Sequence, residues 1–297
     1  MHLRKIAQKA STDRVPAYWR TNDYCNNRRH SRYRRGRRRG IARAGHDVVL
    51  VGRSRPRLDS VAARIEGITG RRPDALAADF ASFTEVRALA AELLDRYERI
   101  DVLANNAGVM TSKREVTADG HETMTQVNHL SGFLLTNLLL ERLTASGGRV
   151  VTTSSRAAKT GRLDPADLNR TKRRWNGWLQ YADTKQANAL FTVELARRGV
   201  AATCFHPGVI KTGFAAGTLV MKIYGLIPGY FKTPEQGAST LVHLATTADG
   251  TDHSGRFFSE TAVPSAVPEK MSDPALAAAL WSASLAATGL PAELPTA

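Results

Sequence analysis

The chain has 297 residues, 42% of them apolar, and a net charge of +15. That is enough for one large α/β domain with a real core, while two cysteines, Cys25 and Cys204, exclude a disulfide framework. The charge suggests nucleic acid, but residues 1–40 hold 13 Lys and Arg against 2 Asp and Glu, so +11 of the +15 sits there and the body is nearly neutral.

No apolar run reaches bilayer-spanning length. The basic start has no apolar h-region of a secretory signal, so a reduced, soluble, cytoplasmic protein is expected. The stretch from Asn22 to Gly40, NDYCNNRRHSRYRRGRRRG, carries neither an apolar face nor a strand pattern. From Gly45 the text becomes regular. His46–Val51 reads as a strand ended by Gly52-Arg53-Ser54, and Pro56–Ile68 has helical spacing. Ala75–Ala78 reads as a second strand, Phe83–Tyr97 as an amphipathic helix, and Ile100–Ala104 as a third strand running into Asn105-Asn106-Ala107-Gly108. A long helix is expected over Asp119–Leu143 and a fourth strand over Arg149–Thr153. Tyr181–Arg197 reads as a helix and Gly199–Phe205 as a fifth strand. Later helices fall at Pro234–Thr246 and Pro274–Ala287. Continuous apolar strands alternating with helices over short links predict a parallel sheet covered on both faces.

Several residues carry chemistry. Tyr181 and Lys185 stand at i and i+4, on one helix face. A phenol with a pKa of roughly 10 is a poor acid at neutral pH, and a nearby ammonium favours its ionised form. Ser154-Ser155, Asn105–Gly108 and Pro207-Gly208 each follow a strand, at the carboxyl edge where doubly wound sheets bind ligands. Asn128 stands in mid-helix, a mediocre place for asparagine. No His/Cys/Asp cluster has metal-ligand spacing.

Taken together, Asn105-Asn106-Ala107-Gly108, Asn128, Ser155, Tyr181-x-x-x-Lys185 and Pro207-Gly208-Val209-Ile210-Lys211-Thr212 resemble the short-chain dehydrogenase/reductase family. Thr117–Leu139, the long gap from Ser155 to Tyr181, and Thr233–Thr240 resemble its retinol-dehydrogenase-like branch. The resemblance implies a single Rossmann-type doubly wound sheet. It also implies an NAD(P)-dependent oxidoreductase interconverting an apolar alcohol and its aldehyde or ketone. Tyr181 would exchange the proton at the substrate oxygen. Lys185 would lower the Tyr181 pKa and hold the nicotinamide ribose. Ser155 would hydrogen-bond the substrate oxygen, and Asn128 would open its helix and hold a relay water. Asn105, Ala107, Gly108, Pro207, Ile210 and Thr212 would line the cofactor, with Asp79 on the adenine side. The first regular strand ends in Gly52-Arg53-Ser54-Arg55 without an acid until Asp59. This favours NADP(H) over NAD(H), with Arg53 on the 2′-phosphate. Gly217–Phe231 would form a substrate lid, or else a core, oligomer-contact or membrane-surface segment. The resemblance allows a homodimer or homotetramer. Nucleic acid is not an expected partner.

The family opens with a central strand and a Thr-Gly-x-x-x-Gly-Ile-Gly loop whose backbone N–H groups meet the pyrophosphate. Residues 1–40 contain no such pattern. The expected division is therefore a basic atypical segment, 1–40, frameshifted or disordered, and a family-like domain, 41–297. Reading the codons that could encode Asn22 onward one base later allows Met-Thr-Ile-Val-Ile-Thr-Gly-Gly-Thr-Ala-Gly-Ile-Gly, a strand followed by the family loop. On that reading the protein would start near Asn22. The alternatives are a catalytically impaired member lacking the cofactor loop, and a binder of nucleic acid or anionic surfaces through Arg28–Arg39.

Overall fold

The computed structural model describes residues 47–208, 234–259 and 264–292, together with the backbone of 17–21. Side chains of 17–21 and 234–238 are outside the description. The arginine tract, the Gly217–Phe231 segment, Ile210 and Thr212 also lie outside the described residues.

Seven parallel strands form one sheet in the order β3-β2-β1-β4-β5-β6-β7. They are β1 (Ala17–Thr21), β2 (Val48–Gly52), β3 (Asp74–Ala77), β4 (Val102–Asn105), β5 (Arg149–Thr153), β6 (Ala201–His206) and β7 (Phe257–Ser259). The order reverses at β1, which makes the sheet doubly wound. Alternate residues along each strand feed opposite faces. Val49, Val51, Leu103 and Val150 pack into one core layer, and Val48, Leu50, Val102 and Val151 into the other. Burial on both sides is why these strands read as unbroken apolar runs.

The first strand was expected to be missing or replaced, and it is replaced. Ala17–Thr21 pairs with β2 from Ala17↔Val48 to Thr21↔Gly52 and with β4 from Ala17↔Val102 to Trp19↔Ala104. AYWRT has β-forming aromatics and a threonine, but no apolar periodicity that marks a central strand in sequence. The strand lies upstream of the Asn22–Gly40 stretch.

Helices α1 (Arg55–Thr69) and α2 (Phe83–Arg96) flank β3 in sequence. Ser82 caps α2, its hydroxyl accepting from the Glu85 N–H at 3.3 Å, while Glu85 accepts from the Asp79 N–H at 2.7 Å. The Ser82 N–H itself donates to the Asp79 carbonyl at 3.2 Å, so the cap and the turn before it are tied together. The long helix expected over Asp119–Leu143 is broken instead. It becomes a short turn α3 (Thr123–Thr125), a π-helical turn (Gln126–Leu130), α4 (Ser131–Leu138) and α5 (Leu140–Ala145). Leu139, at φ −100° and ψ 1°, separates the last two. Helix α6 (Gly177–Arg197) starts four residues before its expected first residue because Asn176 accepts from the Leu179 N–H at 3.0 Å. Helices α7 (Pro234–Thr246), α8 (Asp249–Asp252) and α9 (Pro274–Thr288) complete the chain. Among the described residues no helix is long and apolar enough to cross a membrane.

Candidate active site

Helix α6 is buried along most of its surface, including the polar residues Asp183, Thr184, Lys185, Gln186 and Asn188. Buried polar groups persist where they are paired. The Lys185 ammonium donates to the Thr153 carbonyl at 3.1 Å, and Asn188 donates to the same oxygen at 3.1 Å. Ser154 is buried and donates to the Lys185 carbonyl at 2.7 Å. The end of β5 is thus bolted to α6 around the lysine.

The next residue, Ser155, is partly accessible, and its hydroxyl hydrogen-bonds Tyr181. Of the adjacent serines, then, one holds the backbone and the other meets the phenol. Lys185 Nζ lies 5.7 Å from the centre of the Tyr181 ring. Burial pushes the Tyr181 pKa up to about 12, and the Ser155 hydrogen bond works against that rise.

Asn128 stands in the π-helical turn, buried. Its carbonyl oxygen accepts from the Val109 N–H at 2.6 Å. Its amide donates to the Val109 carbonyl and to Thr184 Oγ1, both at 3.0 Å. The helix is opened here, as the resemblance implied, and the amide clamps the stretch after β4 to α6. Gly108 sits in this clamp. A β-carbon there would stand 3.2 Å from Lys185 Nζ, so any larger residue crowds the ammonium. Thr153 Oγ1 donates to Asn106 Oδ1 at 2.8 Å, and Asn105 donates to Thr136 Oγ1 at 2.8 Å. Ala107 is buried beside them. Pro207 and Gly208 follow β6 at the same carboxyl edge, with Gly208 at φ 85°, a conformation that favours glycine.

Arg53 and Asp79 meet beyond the ends of β2 and β3, guanidinium to carboxylate at 3.9 Å, each about a quarter to a third exposed (26% and 30%). A partly exposed pair at this distance is weak. The structure therefore brings Ser155, Tyr181, Lys185, Asn128 and Gly108 together at the ends of β4 and β5, with Arg53 and Asp79 along the same edge.

Sequence reasoning missed Thr153, whose carbonyl gathers Lys185 and Asn188, and Thr184, which holds Asn128. For Thr184 the available signal was its place beside Lys185 in α6, whereas Thr153 acts through its backbone carbonyl, which no side-chain pattern marks. Trp175, like Met110 and Tyr181, packs against the buried cluster of Val109, Met124 and Val127. Beside it Glu122 is fully buried. Its pKa is raised by burial, against a hydrogen bond from the Thr125 N–H. Among the described residues no group of three or more His, Cys, Asp or Glu could hold a metal ion.

Comparison with known proteins matches residues 38–222 to the family model described as short chain dehydrogenase. A Streptomyces protein named as a daunorubicin C-13 ketoreductase is 44% identical over 251 residues, covering 84% of this chain and 86% of its own. Human retinol dehydrogenase 13 is 36% identical over 268 residues, covering 85% and 80%. A crystal structure of an uncharacterised Mycobacterium paratuberculosis protein superposes with a TM-score of 0.73 at 28% identity, covering 95% of each chain. A Shigella flexneri short-chain dehydrogenase complexed with NADP shares the fold at a TM-score of 0.63 and 23% identity, covering 84% of this chain and 99% of that one.

Proposed function

The chain belongs to the short-chain dehydrogenase/reductase family of oxidoreductases, in its retinol-dehydrogenase-like branch, and from that premise we propose that it interconverts an apolar alcohol and its aldehyde or ketone with NADP(H). The observation that carries the proposal is Tyr181 hydrogen-bonded by Ser155, one helix turn from Lys185, at the carboxyl edge of the sheet. The relatives' names support the substrate class, one naming a ketone position and the others retinol.

The described residues fit a nicotinamide cofactor at two points. Arg53 is partly exposed beyond β2, and Gly108 leaves the backbone bare beside the Lys185 ammonium. When bound, the cofactor supplies or accepts the hydride at the carbonyl carbon. In the reducing direction Tyr181 gives its phenolic proton to the substrate oxygen as negative charge develops there. Ser155 donates a hydrogen bond to the same oxygen. Lys185 stabilises the resulting phenolate by charge. Asn128 keeps Gly108 and Val109 in register with α6, acting as a positioning residue.

A second reading is favoured by one observation. The family match begins at residue 38, and residues 1–40 contain no glycine loop of the family's spacing. An impaired member would lack the N–H cradle for the pyrophosphate. Thermal unfolding with each nucleotide separates the two. Under the first reading NADPH raises the melting temperature more than NADH does, and Tyr181→Phe lowers kcat at least ~100-fold while keeping that rise. No rise with either nucleotide selects the impaired member.

A further inference from the structure

Trp178 is half exposed (50%), one of few large apolar side chains left open among the described residues. Its place is not that of a stray surface residue. It lies three residues before Tyr181 in α6, on the same face. The two ring centres are 6.2 Å apart with their planes tilted by 38°, within the range where aromatic rings attract. Tyr181 and Trp175 both pack against the buried cluster of Val109, Met124 and Val127.

The backbone holds this arrangement in place. A β-carbon at Gly177 would meet the Thr111 carbonyl at 2.7 Å and the Trp175 ring at 3.2 Å. Glycine therefore lets the chain after β4 close against the start of α6. The Asn176 cap fixes the first helical turn, from which Trp178 projects. The proton-bearing phenol is thus bordered by an apolar wall with one open aromatic ring.

We propose that Trp178, half exposed beside the Tyr181 ring, determines specificity at the Tyr181 site, selecting flat, apolar carbonyl or alcohol substrates that stack on the exposed indole over small compact ones. This rests on the reading of Tyr181 as the proton donor. An indole offers a broad rigid surface and loses little side-chain freedom on binding. A small ketone reaches Tyr181 without covering it.

The test uses 2-acetylnaphthalene as the flat probe and acetone as the compact one. For Trp178→Ala the ratio of kcat/KM for the naphthyl ketone to that for acetone is expected to fall roughly fivefold to tenfold. Trp178→Phe should recover most of it. Equilibrium binding of 2-acetylnaphthalene to the full chain is measured in parallel by isothermal titration calorimetry. It should weaken by a similar factor in Trp178→Ala. An unchanged ratio with unchanged binding overturns the proposal, as does failure of the unmodified protein to bind the naphthyl ketone. Absence of turnover with any ketone would overturn the oxidoreductase reading instead, and the binding comparison would still decide the role of Trp178.

Discussion

His129 is the residue whose burial has the clearest consequence for stability. It stands beside Asn128 in the π-helical turn, 2% exposed, and burial pushes its pKa down to about 4. Its ring faces Asn188 and Ser284, at 3.4 and 2.9 Å, and the Phe133 and Phe191 rings. Lys185 is the charged group that also lowers its pKa. An unfolded histidine titrates near 6.5. The folded value is depressed, so below that pH the unfolded chain takes a proton that the folded one refuses. Stability contributed by the neutral ring is then complete above about pH 6.5 and is lost as pH falls toward 4. Urea unfolding should show a loss of about 2 kcal/mol from this residue between pH 7.5 and 5. His129→Gln should flatten that slope, and an equal slope in the variant would assign it to other groups. Sequence alone could place His129 in a helix bundle. It could not show that Ser284, 155 positions away, supplies the partner for its ring.

At the scale of elements, α6 is held to the loop before it by buried charge. Arg170 and Asp183 pair at 2.9 Å with side chains only 5% and 4% exposed. Arg170 sits at φ 48°, which is rare for a residue with a side chain. Asp183 also accepts from the Arg162 N–H at 2.7 Å. A second carboxylate, Asp167, takes Arg173 at 3.0 Å and the Thr171 N–H at 2.6 Å. Removing one member of a buried pair strands the other charge, which typically costs about 3–5 kcal/mol. Asp183→Asn should therefore lower the unfolding free energy measured in urea by about 3–5 kcal/mol, and a loss below about 1 kcal/mol would mean that water relieves Arg170. The helix itself was legible from the Tyr181–Lys185 spacing. Its early start at Gly177 and its anchoring loop were not, because ion pairs between Arg170 and Asp183 leave no periodic trace. In the expected Asp119–Leu143 helix, the opening at Asn128 was implied by the family resemblance, whereas the separation at Leu139 was not expected. The π-helical turn comes with a side-chain contact to Val109 and Thr184, which is tertiary.

For the whole molecule, the open matter is the centre of the sheet. Ala17–Thr21 fills the slot between β2 and β4, so the sheet can close without the family's first strand. A strand restores ladder hydrogen bonds. It does not by itself supply the N–H groups of a glycine loop, and each lost hydrogen bond to a charged phosphate removes about 1.5–3 kcal/mol. A protein carrying the alternative reading frame across the codons for Arg20 to Gly45 should then bind NADPH at least ~10-fold more tightly than the chain as written. Equal affinity would show that the glycine loop is dispensable here. Resequencing the gene over the same codons should reveal one additional base. Finding the sequence as written would establish the arginine tract as real. Salt-sensitive DNA binding lost on replacing the arginines of Arg28–Arg39 with serine, which leaves Ala17–Thr21 in the sheet, would then mark a basic arm.

The sequence by itself determined the parallel sheet, its carboxyl edge, and the placing of Tyr181 and Lys185 on one helix face, while Ser155 and Asn128 were singled out by the family resemblance. Unbroken apolar strands and fixed spacings on one helix are local patterns, set by burial on two faces and by helical geometry. Only the tertiary structure decided that Ser154 ties the end of β5 to the Lys185 carbonyl. It also decided that Arg53 lies against Asp79, that Trp178 borders Tyr181 with an open face, and that AYWRT takes the central strand. Each of these depends on contacts between segments distant in sequence, or on how a helix turns its side chains toward a neighbour. Such contacts are fixed when the layers pack, and no spacing along the chain records them.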